Sequence, residues 1–157
     1  WHFIGHLQSN KTALAATHFD WVHTVDRLKI ARRLSAQRSV HAPPLQVCIQ
    51  VRVGDEASKS GAAPAAVGEL AAAVAELPRI TLRGLMTIPP PSDDPAVQRG
   101  YFRTLRELQE TLIADGLTLD TLSMGMSGDL EAAIAEGATL VRIGTALFGP
   151  RPAPQTG

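Results

Sequence analysis

Short clusters of Val, Ile and Leu alternate along this chain with longer stretches in which apolar residues return every three or four positions. That is the pattern of parallel strands joined by crossover helices. The strand candidates are 1–5, 19–24, 45–53, 81–88, 119–126 and 139–143. Between them Leu28, Ala31 and Leu34 form one helical stripe, Val67, Leu70, Val74 and Leu77 a second, and Phe102, Leu105, Leu108 and Leu112 a third. Pro78 stands where the second helix should stop, and Pro89, Pro90 and Pro91 close the strand before them. Gly116 and Gly137 sit where helices should end, while Ser92, Asp93 and Asp94 offer capping oxygens to the helix that follows Pro95. The 54–64 stretch carries the weakest signal, and neither a tandem repeat nor a domain boundary is visible.

Strand–helix–strand repetition without a Gly-rich dinucleotide turn favours a TIM-type (β/α) barrel over a Rossmann sheet. A complete eight-stranded barrel takes roughly 200 to 250 residues. The chain has 157, so the expectation is an α/β fold in which an incomplete barrel holds about six of the eight units. Residues 1–149 would form this partial barrel and 150–157 a C-terminal tail. The chain opens on Trp1, inside a strand pattern, which suggests truncation. Open strand edges would then need cover from the missing N-terminal segment or from a second chain.

Composition narrows the partners. Fifteen basic residues balance fifteen acidic ones, leaving no electrostatic footprint for a nucleic acid or an anionic membrane. Cys48 is the sole cysteine, so neither an internal disulfide nor a cysteine-rich metal site is expected, and a reducing cytoplasm is the default compartment. No apolar run approaches the ~20 residues that span a bilayer.

The most informative chemistry lies in the last two units, where the strands around Leu122–Met126 and Val141–Ile143 both run into Gly, Ser or Thr. Barrels often hold a phosphate with the loop amides after their last two strands. Ser127, Gly144 and Thr145 are therefore the candidate phosphate contacts. Two plainer roles stand beside this one: Ser127 as N-cap of the helix carrying Leu130, Ala133 and Ile134, and Gly144 with Thr145 as an ordinary turn. Strand alternation places Arg142 on the side of Leu140 and Gly144, opposite Val141 and Ile143. An arginine inside a barrel needs a partner, either Glu131 or Asp129 as an ion pair, or a ligand. His2 and His23 either face a ligand or pack between strands with their rings satisfied.

These segments resemble the pyridoxal phosphate homeostasis family, which shares its fold with the N-terminal barrel of alanine racemase. The resemblance runs through WHFIGHLQSNK at 1–11, HTVDRL at 23–28, SKSG at 58–61, LRGLMTI at 82–88, residues 123–134 and residues 141–149. It implies a pyridoxal 5′-phosphate site with Ser127, Gly144 and Thr145 on the phosphate and Arg142 approaching the pyridine nitrogen. An arginine keeps its proton, so it would donate to an unprotonated ring nitrogen and weaken the ring as an electron sink. The family's Schiff-base lysine belongs to an earlier unit that no segment here matches. Lys11 and Lys59 fall in other family segments, as solvated loop lysines or ligand contacts, and no residue is assigned a catalytic role. His6 replaces a more usual proline, and Gly128 a more usual acidic residue. The function implied is a vitamin B6 homeostasis protein that binds the cofactor without turnover of its own. The alternatives are a racemase-like enzyme, for which Tyr101 is the sole tyrosine, and an inactive barrel fragment that needs a partner chain.

Overall fold

The computed structural model describes residues 1–54 and 60–149. Ser58 and Lys59, and the tail 150–157, lie outside the described residues. All six expected strands form: β1 (His2–Phe3), β2 (Trp21–Val25), β3 (Leu45–Gln50), β4 (Ile80–Met86), β5 (Thr121–Met126) and β6 (Leu140–Arg142). They pair in parallel in the order β1-β2-β3-β4-β5-β6. Each is shorter than its apolar cluster. The 45–53 candidate, for example, leaves the regular ladder after Gln50, where Arg52 turns its amide to the Ala62 carbonyl at 2.9 Å.

Among the described residues six helices connect or follow the strands: α1 (Thr12–His18), α2 (Leu28–Gln37), α3 (Pro64–Ala75), α4 (Pro95–Ala114), α5 (Leu130–Ala135) and α6 (Thr145–Phe148). The three expected stripes lie on α2, α3 and α4, with Ala31, Leu34, Val67, Val74, Phe102, Leu105 and Leu112 all buried. α3 stops at Ala75, so Leu77 packs from the turn beyond it rather than from the helix. α1 gave no apolar stripe because it buries only Thr12, Ala15 and Ala16, residues too small to mark a hydrophobic face.

The stop signals act through identifiable hydrogen bonds. Asp94 caps α4 by accepting the Ala96 amide at 2.8 Å. At its other end Gly116, with φ +99°, lets Leu117 donate to the Leu112 carbonyl at 3.1 Å and Gly116 to Ile113 at 3.0 Å. Gly137, with φ +88°, closes α5 in the same way through Ala138 to Ala133 and Gly137 to Ile134, both 3.0 Å. This paired 6→1 and 5→2 arrangement requires a left-handed residue at which a Cβ is costly.

One face of the sheet packs under the helices. Leu45, Val47 and Ile49 of β3 are fully buried with Ile30, Leu34, Val67 and Val74 of the neighbouring helices, each worth roughly 1.5–3 kcal/mol by removal from water. The other face is the concave interior of the barrel arc, and two irregularities set what it displays. Val22 pairs with Val47 and Val25 with Ile49, so two residues of β2, His23 and Thr24, oppose the single Cys48 of β3. An extra residue of this kind re-aims side chains. In β4 the partners of Val47 and Cys48 are Leu82 and Gly84, which leaves Arg83 as the extra residue. Its guanidinium donates to Gln46 and Asp120 and lies 5.1 Å over the Trp21 ring.

The sheet must curl strongly. Strands β2 and β5 are three positions apart, roughly 14 Å in a flat sheet, yet the His23 ring nitrogen and the Ser123 hydroxyl meet at 2.8 Å.

On the helical side of the sheet, Glu136 at the C-cap of α5 is 3 % exposed, accepts from Arg99 at 2.8 Å and Arg103 at 3.3 Å, and forms an ion pair with Arg106 at 3.5 Å. Burial alone would raise its pKa, but the Arg99 and Arg103 guanidiniums outweigh that and hold it below the usual carboxylate value. Glu136→Gln leaves three like charges along one face of α4. The variant is expected to lose roughly 1–2 kcal/mol of unfolding free energy, read as a lower urea midpoint, with the deficit shrinking in high salt. An equal midpoint at low salt would show that this cluster does not hold α4 to α5.

Candidate functional site

Strand β5 ends through a third irregularity. Ser123 pairs with Leu140 and Met126 with Arg142, so β5 spends one more residue than β6 over the same rise. Gly125 lies in this stretch with φ +96°, and a Cβ there would stand 2.6 Å from the Ala133 Cβ, so α5 can sit this close only over glycine. Beyond it the chain turns tightly: the Met126 amide donates to the Asp129 carboxylate at 2.6 Å, and the Asp129 amide to the Met126 carbonyl at 3.3 Å.

This turn corrects one expectation. Asp129, not Ser127, occupies the N-cap position of α5. Ser127 is pulled clear by the turn and reaches instead to the next loop, where its hydroxyl accepts the Ala146 amide at 3.1 Å. The two loops expected to cooperate are therefore in direct contact. In the second loop Gly144 is the N-cap of α6, and its carbonyl accepts from Leu147 and Phe148, both at 2.9 Å. Amides that open a helix have no intrahelical acceptor, which leaves those around Thr145 for a side chain or a ligand.

These loops form one wall of an open cleft of about 840 Å³, lined by His2, Met126, Ser127, Arg142, Gly144 and Thr145 among others. All four residues singled out as cofactor contacts thus line the same space. Arg142 lies on the interior face, as alternation indicated, and of its two alternatives the ion pair with Glu131 or Asp129 is not made. Its NH1 donates to the Ser123 hydroxyl at 2.8 Å and its NH2 to the Thr87 carbonyl at 2.9 Å. Among the described residues no carboxylate forms a salt bridge with it. Asp129 is held by its own turn and acts on the guanidinium only at longer range. Desolvation lowers the Arg142 pKa below that of a free arginine, and the group remains a cation.

Arg142 is one end of a row of hydrogen bonds. The Ser123 hydroxyl also meets His23 Nδ1 at 2.8 Å, and His23 Nε2 meets His2 Nδ1 at 2.8 Å. His23 is fully buried, as the packing alternative held, with its pKa pushed down to about 4 by burial first and then by electrostatic interaction with His2 and the Arg142 cation. His2 combines both alternatives: its ring stacks on Trp21 at 5.2 Å, and the residue lines the cleft. Ser123 was missed by sequence reasoning. The available signal was a hydroxyl flanked by Leu122 and Met124, four residues before Ser127.

The remaining candidates lie elsewhere. Lys11 is exposed where a single 3-10 turn (Ser9–Lys11) enters α1, and Tyr101 is half-buried on α4 with its ring edge near Gly54. Cys48 is buried in β3 and its thiol pKa is pushed up to about 12, chiefly by burial, which makes it a poor nucleophile. Among the described residues no group of three or more His, Cys, Asp or Glu is placed to hold a metal ion, and no helix is long and apolar enough to cross a membrane.

The donor set suits a phosphorylated heterocycle. Ser127 and Thr145 bring hydroxyls and the Gly144 turn brings amides, all fitting a dianion. An unneutralised arginine on the same wall fits a neutral ring nitrogen that accepts.

Residues 1–152 match the family described as alanine racemase, N-terminal domain. The pyridoxal phosphate homeostasis protein of Pseudomonas aeruginosa is 64% identical over 151 residues, a match covering 96% of this chain. The chain spans 64% of the length of that relative. The structure of PipY from Synechococcus elongatus, solved with PLP bound, superposes with a TM-score of 0.85 at 37% identity, over 95% of this chain and 70% of PipY. Alanine racemase from Clostridium difficile superposes with a TM-score of 0.75 over 98% of this chain and 40% of that enzyme; at 15% identity it shares the fold alone.

Proposed function

The chain belongs to the alanine racemase N-terminal domain family, and from that membership we propose that it is a pyridoxal 5′-phosphate-binding protein of vitamin B6 homeostasis, acting in the cytoplasm. The observation that carries the reading is the guanidinium of Arg142, without a carboxylate salt bridge among the described residues, on the same cleft wall as Ser127, Gly144 and Thr145. The names of the relatives, and the PLP-bound state of PipY, point the same way.

In this reading Ser127 and Thr145 donate their hydroxyls to the phosphate, and the turn at Gly144 brings backbone amides to it. The Ser127 hydroxyl, now accepting from Ala146, would share that amide with the phosphate or yield it. Arg142 donates to the ring nitrogen and keeps its own proton. When bound, the cofactor supplies an aldehyde that condenses reversibly with amines. Because Arg142 leaves the ring nitrogen unprotonated, the site favours holding and releasing the cofactor over stabilising a carbanion, which is the role of a carrier. A racemase would need a second base across the ring, and Tyr101 stands on α4 near Gly54, not among the residues lining the cleft. The outer edges of β1 and β6, which pair with no further strand among the described residues, are where strands of a longer chain, or of a partner, would add.

Isothermal titration with pyridoxal phosphate tests the site. Ser127→Ala combined with Thr145→Val is expected to weaken binding about tenfold to a hundredfold, the loss of one or two hydrogen bonds to a charged group. Unchanged affinity in the double variant would remove the assignment.

A further inference from the structure

We propose that Ser123 and His23 are positioning residues for Arg142, fixing the plane of its guanidinium so that its free N–H edge is presented to the ligand. This rests on the cofactor reading above.

The argument begins with what the fold hides. Ser123 and His23 are each fully buried. An apolar residue at either place would continue the core without burying a polar group. A hydroxyl and an imidazole taken out of water are costly unless their hydrogen bonds are made. Here they are made to each other at 2.8 Å, and onward to Arg142 at 2.8 Å and His2 at 2.8 Å. The β2 irregularity is what aims His23 this way, since Val22 and Val25 both keep register with the helix-facing residues of β3 while His23 lies between them.

Donor arithmetic then orders the row. Arginine only donates, so the Ser123 oxygen accepts from Arg142 NH1. Its single proton goes to His23 Nδ1, a direction that the adjacent cation reinforces by polarising the hydroxyl. His23 therefore carries its proton on Nε2 and gives it to His2 Nδ1. His2, steadied by its stack on Trp21, braces the far end. On the other side the Thr87 carbonyl holds Arg142 NH2, and Thr87 is itself tied by its hydroxyl to the Val51 carbonyl at 2.9 Å. With NH1 and NH2 both anchored from within, the guanidinium cannot rotate about its long stem.

The test uses the intact protein, titrated calorimetrically with pyridoxal phosphate, together with nitrogen-15 NMR of the histidine rings. Ser123→Ala is expected to weaken binding about tenfold, the loss of one charge-assisted anchor. Ser123→Thr keeps the hydroxyl and is expected to restore affinity to near the parent value. In the unliganded parent, His23 is expected as a single neutral tautomer with the proton on Nε2, a readout that needs neither cofactor nor variant. Parent-like binding by Ser123→Ala while Arg142→Ala binds weakly would overturn the positioning role, as would an Nδ1-protonated His23. If Arg142→Ala itself binds normally, the cofactor reading falls, and this inference with it.

Discussion

Gly84→Ala is expected to leave the chain largely unable to hold its sheet together. A Cβ at position 84 would lie 1.8 Å from the Thr121 carbonyl oxygen and 2.7 Å from its carbon. Both atoms are backbone of the adjacent strand, paired with Gly84 in the ladder, so no side chain can swing aside to make room. Relief requires β4 and β5 to separate, which exposes the core beneath Leu85 and Leu122. Overpacking that moves backbone costs about 3 kcal/mol or more, a large share of the roughly 5–15 kcal/mol that a domain has in total. The function would suffer by the same route, because Thr87, just past β4, supplies the carbonyl that holds Arg142. Circular dichroism and a urea titration would read this directly. A midpoint equal to that of the parent would show that β4 and β5 do not approach so closely.

The second large effect is a loss of stability on mild acidification, traceable to His23. Its folded-state pKa is pushed down to about 4 from the ordinary 6.5, by burial first and then by its interactions with His2 and the Arg142 cation. Above pH 6.5 the ring is neutral in both folded and unfolded chains, and its contribution is fully present. Between 6.5 and 4 the unfolded chain takes up a proton that the folded chain refuses, so stability falls with pH across that window and levels off below it. At about 1.4 kcal/mol per pKa unit the loss comes to roughly 3.5 kcal/mol. His23→Asn removes the titrating ring while keeping an amide within reach of Ser123. The unfolding free energy of the parent should fall relative to His23→Asn between pH 6.5 and 4, and parallel profiles would contradict a buried neutral imidazole. The carboxylates held low by their cations, Asp120 by Arg83 and Glu136 against its burial by Arg99 and Arg103, lose their contribution as they are protonated at still lower pH. The comparison with the variant cancels them.

The acid window and the cofactor site share one cause. Protonating His23 would add a second cation beside Arg142 and turn its Nδ1 into a donor, so Ser123 could no longer give its proton there. The row that steadies the guanidinium is thus stable only while His23 is neutral.

Much of this protein is written locally in its sequence. The alternation of apolar clusters with helical stripes located six strands and the three longest helices, because burial on one face of a repeating element imposes its period on the residues themselves. Asp94, Gly116 and Gly137 marked helix ends correctly because a cap depends on a few neighbouring backbone groups and nothing farther away. The run of Gly, Ser and Thr after the last two strands was enough to single out the loops around Ser127 and Thr145. Sequence could not say that Ser127 would leave the cap of α5 to Asp129, since the turn that moves it depends on α5 packing against Gly125. Nor could it say who holds Arg142. Its partners, Ser123 and the Thr87 carbonyl, lie 19 and 55 residues away, and His23 reaches Ser123 across 100 residues only because the sheet curls. Periodicity carries no information about curvature or about where one strand slips a residue against its neighbour. Those are settled when whole strands pack, and in this chain they decide which polar groups meet inside.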